Sequence, residues 1–95
     1  MTEHSQEQAV GVVRDYFRKV GVAAVEVTRG PIRAGDTLRF LGHTTDLVQR
    51  IESMQANHQD ILEANKGDFV GIKVADRVRE GDLVYIESGN MEDLP

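Results

Sequence analysis

The chain has 95 residues and no cysteine, and its 11 basic and 16 acidic residues give a formal net charge of −5. This length fits one domain, because domains usually contain about 100–150 residues. Neither a disulfide nor a cysteine-ligated zinc can stabilise it. No apolar run approaches the ~20 residues that a membrane span needs, and the polar N-terminal residues lack a signal-peptide core. A soluble cytoplasmic protein, without a membrane partner, is therefore expected.

The charge is unevenly distributed along the chain. Residues 1–9 carry −2 and residues 87–95 carry −3, so the two ends account for the whole net charge. Residues 10–50 hold seven bases and four acids, whereas residues 51–86 hold four bases and seven acids. The acidic total therefore does not argue against nucleic-acid binding, which depends on local clusters of Lys and Arg.

The pattern between the two ends predicts one small all-β domain. Residues 1–9 and 88–95 are polar and aperiodic, and we expect them to be disordered tails around a domain of residues 10–87. Within that domain, glycines separate short segments rich in Val, Ile and Phe, which is typical of a small sandwich or barrel. In chain order, the predicted strands are residues 10–17, 22–27, 37–41, 47–54, 69–74 and 83–86. Residues 55–65 are predicted to form a loop containing at most one helical turn.

A Gly-Asp pair precedes three of the strands, at Gly35-Asp36, Gly67-Asp68 and Gly81-Asp82. Gly supplies a left-handed turn conformation and Asp accepts backbone N–H bonds in the same turn. The three Asp residues open different strands and lack the spacing of a calcium-binding loop. They are therefore interpreted as turn residues, and no metal site is predicted.

Several motifs together resemble a known family. The segment from Gly21 to Leu38 contains Arg-Gly-Pro-Ile-Arg-Ala-Gly-Asp, the segment from Glu63 to Ile72 contains Glu-Ala-Asn-Lys-Gly-Asp-Phe-Val-Gly, and Val78 to Val84 provides a closing strand. This order resembles domain II of translation GTPases such as elongation factor Tu. It is also similar to small stand-alone elongation-factor-like proteins and to the barrel appended to some collagenase-like peptidases. The resemblance implies a closed antiparallel barrel of about six strands.

The same resemblance implies a candidate RNA site at residues 53–58. In translation factors, this loop helps to hold the 3′ end of aminoacyl-tRNA. Ser53 and His58 match the family pattern, whereas Gln55 and Asn57 stand where the family has Glu and His. His58 has the alternative interpretation of an exposed loop residue without a special role.

A second candidate site lies on the first predicted strand. Arg14 and Arg18 flank Tyr16 and Phe17, and bases beside aromatic rings are typical of stacking platforms for nucleic acids. On a regular strand Arg14, Tyr16 and Arg18 point the same way. If the segment has only a structural role, Phe17 belongs to the core and Tyr16 lies at its rim.

No pattern typical of catalysis is present in the sequence. There is no cysteine nucleophile, no Gly-x-Ser-x-Gly turn and no phosphate-binding Gly-x-x-x-x-Gly-Lys loop. The sequence therefore predicts a chain that is not an enzyme and that uses no cofactor. The first hypothesis is a translation-factor-like adaptor that binds a protein partner, either a translation-related factor or a collagenase-like peptidase. The alternative is an RNA or tRNA 3′-end binding module. The candidate contact residues are Arg14, Tyr16, Arg18, Ser53, Gln55, Asn57 and His58.

Overall fold

The computed structural model describes residues 8–87, which form an all-β unit. The strands are β1 (Gly11–Phe17), β2 (Val22–Val27), β3 (Ile32–Arg33), β4 (Thr37–Leu41), β5 (Asp46–Arg50), β6 (Met54–Ala56), β7 (Gln59–Ile61), β8 (Glu63–Ala64), β9 (Phe69–Lys73) and β10 (Leu83–Ile86). No helix within this range is long and apolar enough to cross a membrane. Apart from Gln8 and Ala9, the two predicted tails lie outside the described residues. Ala9 is buried.

The sheet topology corrects the expectation of a closed six-stranded barrel. Eight strands form one antiparallel sheet in the order β5-β4-β10-β1-β2-β9-β6-β7, and β3 pairs separately with β8. The end strands β5 and β7 do not pair with each other, so the sheet is an open half-barrel. The segment predicted as one strand over residues 47–54 is divided, because Ile51 to Ser53 leave the ladder between β5 and β6.

Residues 54–61 form a β-hairpin, and the expectation of a loop there was wrong. Met54 pairs with Ile61 and Ala56 pairs with Gln59, which leaves Asn57 and His58 as a two-residue connection. Both have positive φ, 54° and 65°. This is the geometry of a type I′ turn, whose twist matches that of the flanking strands and in which Asn is favoured.

The core is formed by the inward faces of the strands, which alternate as the period of two requires. Leu38 and Phe40 of β4 are fully buried, and so are Val25 and Val27 of β2. The other fully buried large side chains are Val13, Ile32, Ile51, Met54, Ile72, Val78 and Val84. Each contributes roughly 1.5–3 kcal/mol through its removal from water, and this burial replaces the missing disulfide as the source of stability.

The three Gly-Asp turns share one hydrogen-bonding pattern, which confirms their interpretation. The Oδ2 atoms of Asp36, Asp68 and Asp82 each accept the backbone N–H of the residue three positions earlier, at 2.8 Å. The N–H of the same Asp donates back to the carbonyl of that residue at 2.9–3.0 Å. The preceding glycines have φ between 94° and 97°, a region that disfavours residues with a Cβ.

Candidate functional site

A β-bulge in β1 determines which residues of that strand face the core. Val13 of β1 pairs with Val25 of β2. The next residue of β2, Ala24, pairs with Asp15 and not with Arg14, so Arg14 is an extra residue in the ladder. A bulge places two residues of one strand opposite one residue of the other and shifts the alternation that follows. The expectation that Arg14, Tyr16 and Arg18 share the face of a regular strand was therefore wrong.

The bulge also determines the environments of the two aromatic residues. Tyr16 pairs with buried Ala23 and packs partly against the core. Phe17 pairs with Val22 and is 48% exposed. The structural interpretation was therefore wrong for Phe17, which is not in the core, because it assumed an unbroken period of two; Tyr16 lies at the rim of the core, as that interpretation expected.

Arg14 is held by a charge pair on the outer face of the sheet. Its Nε donates to Oε1 of Glu26 at 2.8 Å, and its Nη2 lies 2.7 Å from the same oxygen. Glu26 is on β2, opposite Val12. Arg14 thus has a structural partner on the neighbouring strand, and it does not line the cavity that Tyr16 and Arg18 share.

Tyr16 and Arg18 line a shallow cavity of about 240 Å³ together with the segment between β9 and β10. We call this cavity the arginine hollow; its lining is Asp15, Tyr16, Arg18, Arg77, Val78, Arg79 and Glu80. Within residues 8–87, none of its three arginines forms an ion pair. Three unpaired guanidinium groups beside a tyrosine favour a ligand or surface that carries carboxylates or other anionic groups.

Local contacts position Arg77 and Arg79. Val78 between them is 1% exposed and packs in the core. The two arginines therefore lie on either side of a residue that anchors the segment to the core. The backbone N–H of Arg79 donates to Oδ2 of Asp82, and that of Arg77 donates to Oδ1 of Asp76, both at 2.8 Å. Sequence reasoning missed both residues because they are distant in sequence from Tyr16. The available signal was the alternation Arg-Val-Arg around an apolar residue.

The structure places the remaining candidates elsewhere. Ser53 and Gln55 line a groove of about 150 Å³ with Val22, Gly71 and Lys73. Nε2 of Gln55 donates to Oδ1 of Asp60 across the β6–β7 hairpin at 3.1 Å. Asn57 and His58 are exposed at the tip of that hairpin. The seven candidates therefore do not form one site.

A charged network connects β4, β5 and the end of β10. Nε and Nη2 of Arg39 donate to the two carboxylate oxygens of Asp46, each at 2.8 Å, and Nη1 lies 3.8 Å from Glu87. The hydrogen bond to Asp46 raises the pKa of Arg39 above its ordinary value. Tyr85, opposite Arg39 in the ladder, is 4% exposed, and burial raises the pKa of its hydroxyl. The two hydrogen bonds from Arg39 therefore neutralise the carboxylate of Asp46.

Comparison with known proteins identifies relatives among peptidases. No established family profile matches the chain. A protein from Methanocaldococcus jannaschii named as an uncharacterized protease is 42% identical over 78 residues, which are 81% of this chain and 19% of that protein. A collagenase from Porphyromonas gingivalis is 33% identical over 81 residues, 84% of this chain and 22% of the collagenase. The chain thus spans about a fifth of the length of the curated relatives it matches.

Solved structures show the same fold in a domain of similar size. The C-terminal domain of a U32 peptidase from Geobacillus thermoleovorans aligns with a TM-score of 0.81 and 21% identity, covering 92% of this chain and 100% of that one. Its selenomethionine variant aligns with a TM-score of 0.76 and 24% identity, covering 81% and 96%. At this level of identity the likeness concerns the fold.

These findings correct five expectations from the sequence. The assignment to elongation factor domain II was wrong, because the similar proteins are named as protease and collagenase and the structural neighbour is a U32 peptidase domain. For the same reason, three further expectations are set aside: the translation-factor-like adaptor, the alternative of a tRNA-end-binding module, and the translation-related partner. The prediction that the chain is not an enzyme is contradicted by names that point to a peptidase family, although the match covers only part of each relative. Its fold is that of the C-terminal domain of a U32 peptidase.

Proposed function

We propose that this chain functions as the C-terminal-type domain of a U32-type peptidase and supports the action of that peptidase on polypeptide. The observation that carries this proposal is the 42% identity over 78 residues to one segment of a protease. The agreement in fold with a C-terminal domain supports it, because the alignment covers 92% of this chain and 100% of that domain. The role is proposed to be exercised in the cytoplasm, which the sequence predicts.

The arginine hollow is the proposed contact with the peptidase portion. Arg18, Arg77 and Arg79 make no ion pair within the described part of the chain, so an acidic surface of a partner meets unpaired guanidinium groups. Charge complementarity of this kind steers association and determines orientation more than it adds affinity. Tyr16 contributes an aromatic ring beside these charges, a residue type favoured at the centre of interfaces.

The β6–β7 hairpin is a second proposed contact region, with Ser53 and Gln55 in its groove and Asn57 and His58 at its tip. All four side chains are exposed, and the two-residue turn carries Asn57 and His58. We assign Arg14 to the fold because of its bond to Glu26. The hollow and the hairpin can be separated experimentally, since they do not share a lining residue.

Domain exchange tests the proposed function. In the Porphyromonas gingivalis collagenase, the segment matched by this chain is replaced by the chain or deleted, and hydrolysis of collagen is measured. The deletion is expected to lower the rate by about tenfold or more, equivalent to about 1.4 kcal/mol in the activation barrier. The exchanged protein is expected to recover most of that loss. A folded exchange protein as inactive as the deletion, or a deletion without effect, would overturn the proposal.

A further inference from the structure

The outer face of the sheet is recessed over the middle of β9. Val70 and Ile72 of this strand are buried in the core, so Phe69, Gly71 and Lys73 point outward. A cavity of about 150 Å³ lies at the position where Gly71 has no side chain. We call this cavity the Gly71 notch; its lining is Val22, Ser53, Gln55, Gly71 and Lys73.

The notch exists because residue 71 is a glycine. A Cβ on Gly71 would lie 3.3 Å from Cγ1 of Val22 and 4.0 Å from the backbone oxygen of Gln55, so even a methyl group would fill part of the floor. Gly71 is not among the glycines with positive φ, so its backbone conformation does not require glycine. The pairing of β9 with β2 and β6 is continuous through this residue, so it marks no bulge. A glycine inside a regular strand weakens the strand and is typical of a place where a ligand or another backbone approaches closely.

Two unused hydrogen-bond donors stand at one end of the notch. Met54 pairs with Ile72 and Gln55 pairs with Gly71, so the next position of the register places Ser53 beside Lys73. Within the described residues, the ammonium group of Lys73 has no ion pair and the hydroxyl of Ser53 has no hydrogen bond.

The charge of the notch favours an anionic group at this end. Lys73 is the only charged residue of the lining. The side-chain amide of Gln55 is bonded to Asp60, so the free polar groups are those of Lys73 and Ser53. An ammonium group and a hydroxyl side by side are donors that fit the two oxygens of one carboxylate.

The size and surroundings of the notch favour an aliphatic side chain next to that carboxylate. A cavity of about 150 Å³ holds a group as large as benzene, which is enough for one aliphatic side chain. Val22 forms one wall, and its partner in the ladder, Phe17, is 48% exposed. Phe69, on the same outer face, is 61% exposed. The notch therefore lies in an apolar part of the sheet surface.

We propose that the Gly71 notch binds the free C-terminus of a peptide that ends in an aliphatic residue. The last side chain occupies the recess over Gly71, and the terminal carboxylate accepts hydrogen bonds from Lys73 and Ser53. Capture of a terminal carboxylate is a general mode of peptide recognition. The inference names a ligand for the groove in the second proposed contact region, and it rests on the proposed function for the source of the peptide, since peptide hydrolysis produces such ends. Binding itself is a property of this chain.

The experiment uses the full chain and the peptide Gly-Ser-Gly-Ser-Ala-Leu, labelled with fluorescein at its N-terminus and free at its C-terminus. Anisotropy measures the affinity. Three matched peptides accompany it. The first is amidated at the C-terminus, the second ends in Ser in place of Leu, and the third is amidated but carries Asp in place of Ala, so that its carboxylate belongs to a side chain. The free peptide ending in Leu is expected to bind at least about tenfold more tightly than each of the three.

Two protein variants assign the two halves of the ligand. Lys73→Gln is expected to weaken binding of the free peptide about tenfold and to leave the amidated peptide within about twofold. Gly71→Ala is expected to weaken binding of the peptide ending in Leu about fivefold or more and to leave the peptide ending in Ser within about twofold. Lys66→Gln, an exposed lysine that does not line the notch, is the matched control and should have no effect. ¹⁵N–¹H spectra verify that each variant is folded, and shifts are expected at residues 53–55 and 71–73.

Several results would overturn the inference. They are equal binding of the free and amidated peptides, equal binding of the peptide with a side-chain carboxylate, an unchanged affinity of folded Lys73→Gln, and no binding of the free peptide at about 1 mM. The collagen experiment separates this inference from the proposed function. Peptide binding by a chain that fails to restore collagen hydrolysis would support the notch and contradict the proposed function, whereas restored hydrolysis without peptide binding would contradict the notch alone.

Discussion

Gln49 and Lys73 are joined by a hydrogen bond in which Nε2 of the side chain donates to the backbone carbonyl oxygen at 2.9 Å. Oε1 of the same amide accepts the N–H of Ala75 at 2.7 Å. One side-chain amide thus makes the two bonds that a neighbouring backbone would make, and it connects the end strand β5 to the segment after β9. The open half-barrel is held together at this point by a side chain.

Replacing Gln49 is therefore expected to destabilise the fold. Gln49→Ala removes both bonds and should lower the free energy of unfolding by about 1–3 kcal/mol, measured by urea denaturation. Gln55→Ala, which removes one exposed bond to Asp60, is the matched control and should cost about 0.5 kcal/mol or less. Equal effects of the two substitutions would contradict the connecting role of Gln49.

Gln49→Glu provides a pH-dependent version of the same test. An ionised carboxylate accepts from Ala75 but cannot donate to the carbonyl of Lys73, whereas a protonated carboxyl group can do both. The deficit of this variant relative to the parent protein should therefore be larger at pH 7 than at pH 4. A deficit that is independent of pH would show that the donor to Lys73 does not contribute to stability.

The bulge at Arg14 predicts unequal effects of two neighbouring aromatic substitutions. Tyr16→Ala removes a ring that packs against the core and should lower the free energy of unfolding by about 1–3 kcal/mol. Phe17→Ala removes a ring that is 48% exposed and should cost less than about 1 kcal/mol. Thermal and urea unfolding of the two variants measure the difference. The opposite order would indicate a regular strand without a bulge.

The hairpin turn at Asn57 and His58 can be improved or impaired by one substitution. His58 has φ of 65°, a left-handed conformation that costs a residue with a Cβ about 1–2 kcal/mol. His58→Gly removes this cost but adds about 0.5–1 kcal/mol of backbone entropy to the unfolded chain, so a net stabilisation of about 0.5–1 kcal/mol is expected. His58→Val should destabilise it by about 1–3 kcal/mol, since a β-branched residue is strained there. Unfolding free energies measure both changes. A neutral result for His58→Val would contradict a type I′ turn.

Tyr85 predicts a loss of stability at alkaline pH. Burial raises the pKa of its hydroxyl in the folded state above the ordinary value of 10.0. The unfolded chain therefore loses this proton at a lower pH than the folded protein. The contribution of the Tyr85 hydroxyl to the free energy of unfolding is complete below about pH 10 and decreases as the pH rises through the folded-state pKa. Tyr85→Phe should show a shallower decrease of unfolding free energy above pH 10. If the free energy of unfolding of Tyr85→Phe decreases above pH 10 as steeply as that of the parent protein, Tyr85 does not contribute to the loss of stability.

The features that could be predicted from the sequence are local. Strand β4 and the Gly-Asp turns depend on alternation and on residues within three positions of each other, and both were predicted. The bulge at Arg14 depends on the register of β1 against β2, and the open side depends on whether β5 meets β7. The register and the pairing of end strands are both relations between segments that are distant in the sequence, and the periodicity within one segment does not indicate them.

The candidate site divides in the same way. The sequence predicts Tyr16 and Arg18 as site residues because a basic residue near an aromatic residue can be recognised in the sequence. Arg77 and Arg79 complete the arginine hollow only because the segment after β9 folds back against the end of β1. The type I′ turn was missed because Asn-His is a less common pair for it than Asn-Gly.

Collagen hydrolysis by the exchange protein, with the arginine hollow intact or reversed in charge, tests the role in a peptidase most directly. With the hollow intact, activity should recover to within about threefold of the parent collagenase; Arg18→Glu combined with Arg77→Glu should reduce it about tenfold or more, towards the level of the deletion. Lys66→Glu, an exposed charge outside the hollow, is the control and should have no effect. Failure of the intact chain to restore any activity would contradict the peptidase role, and full activity after charge reversal would contradict the role of the hollow.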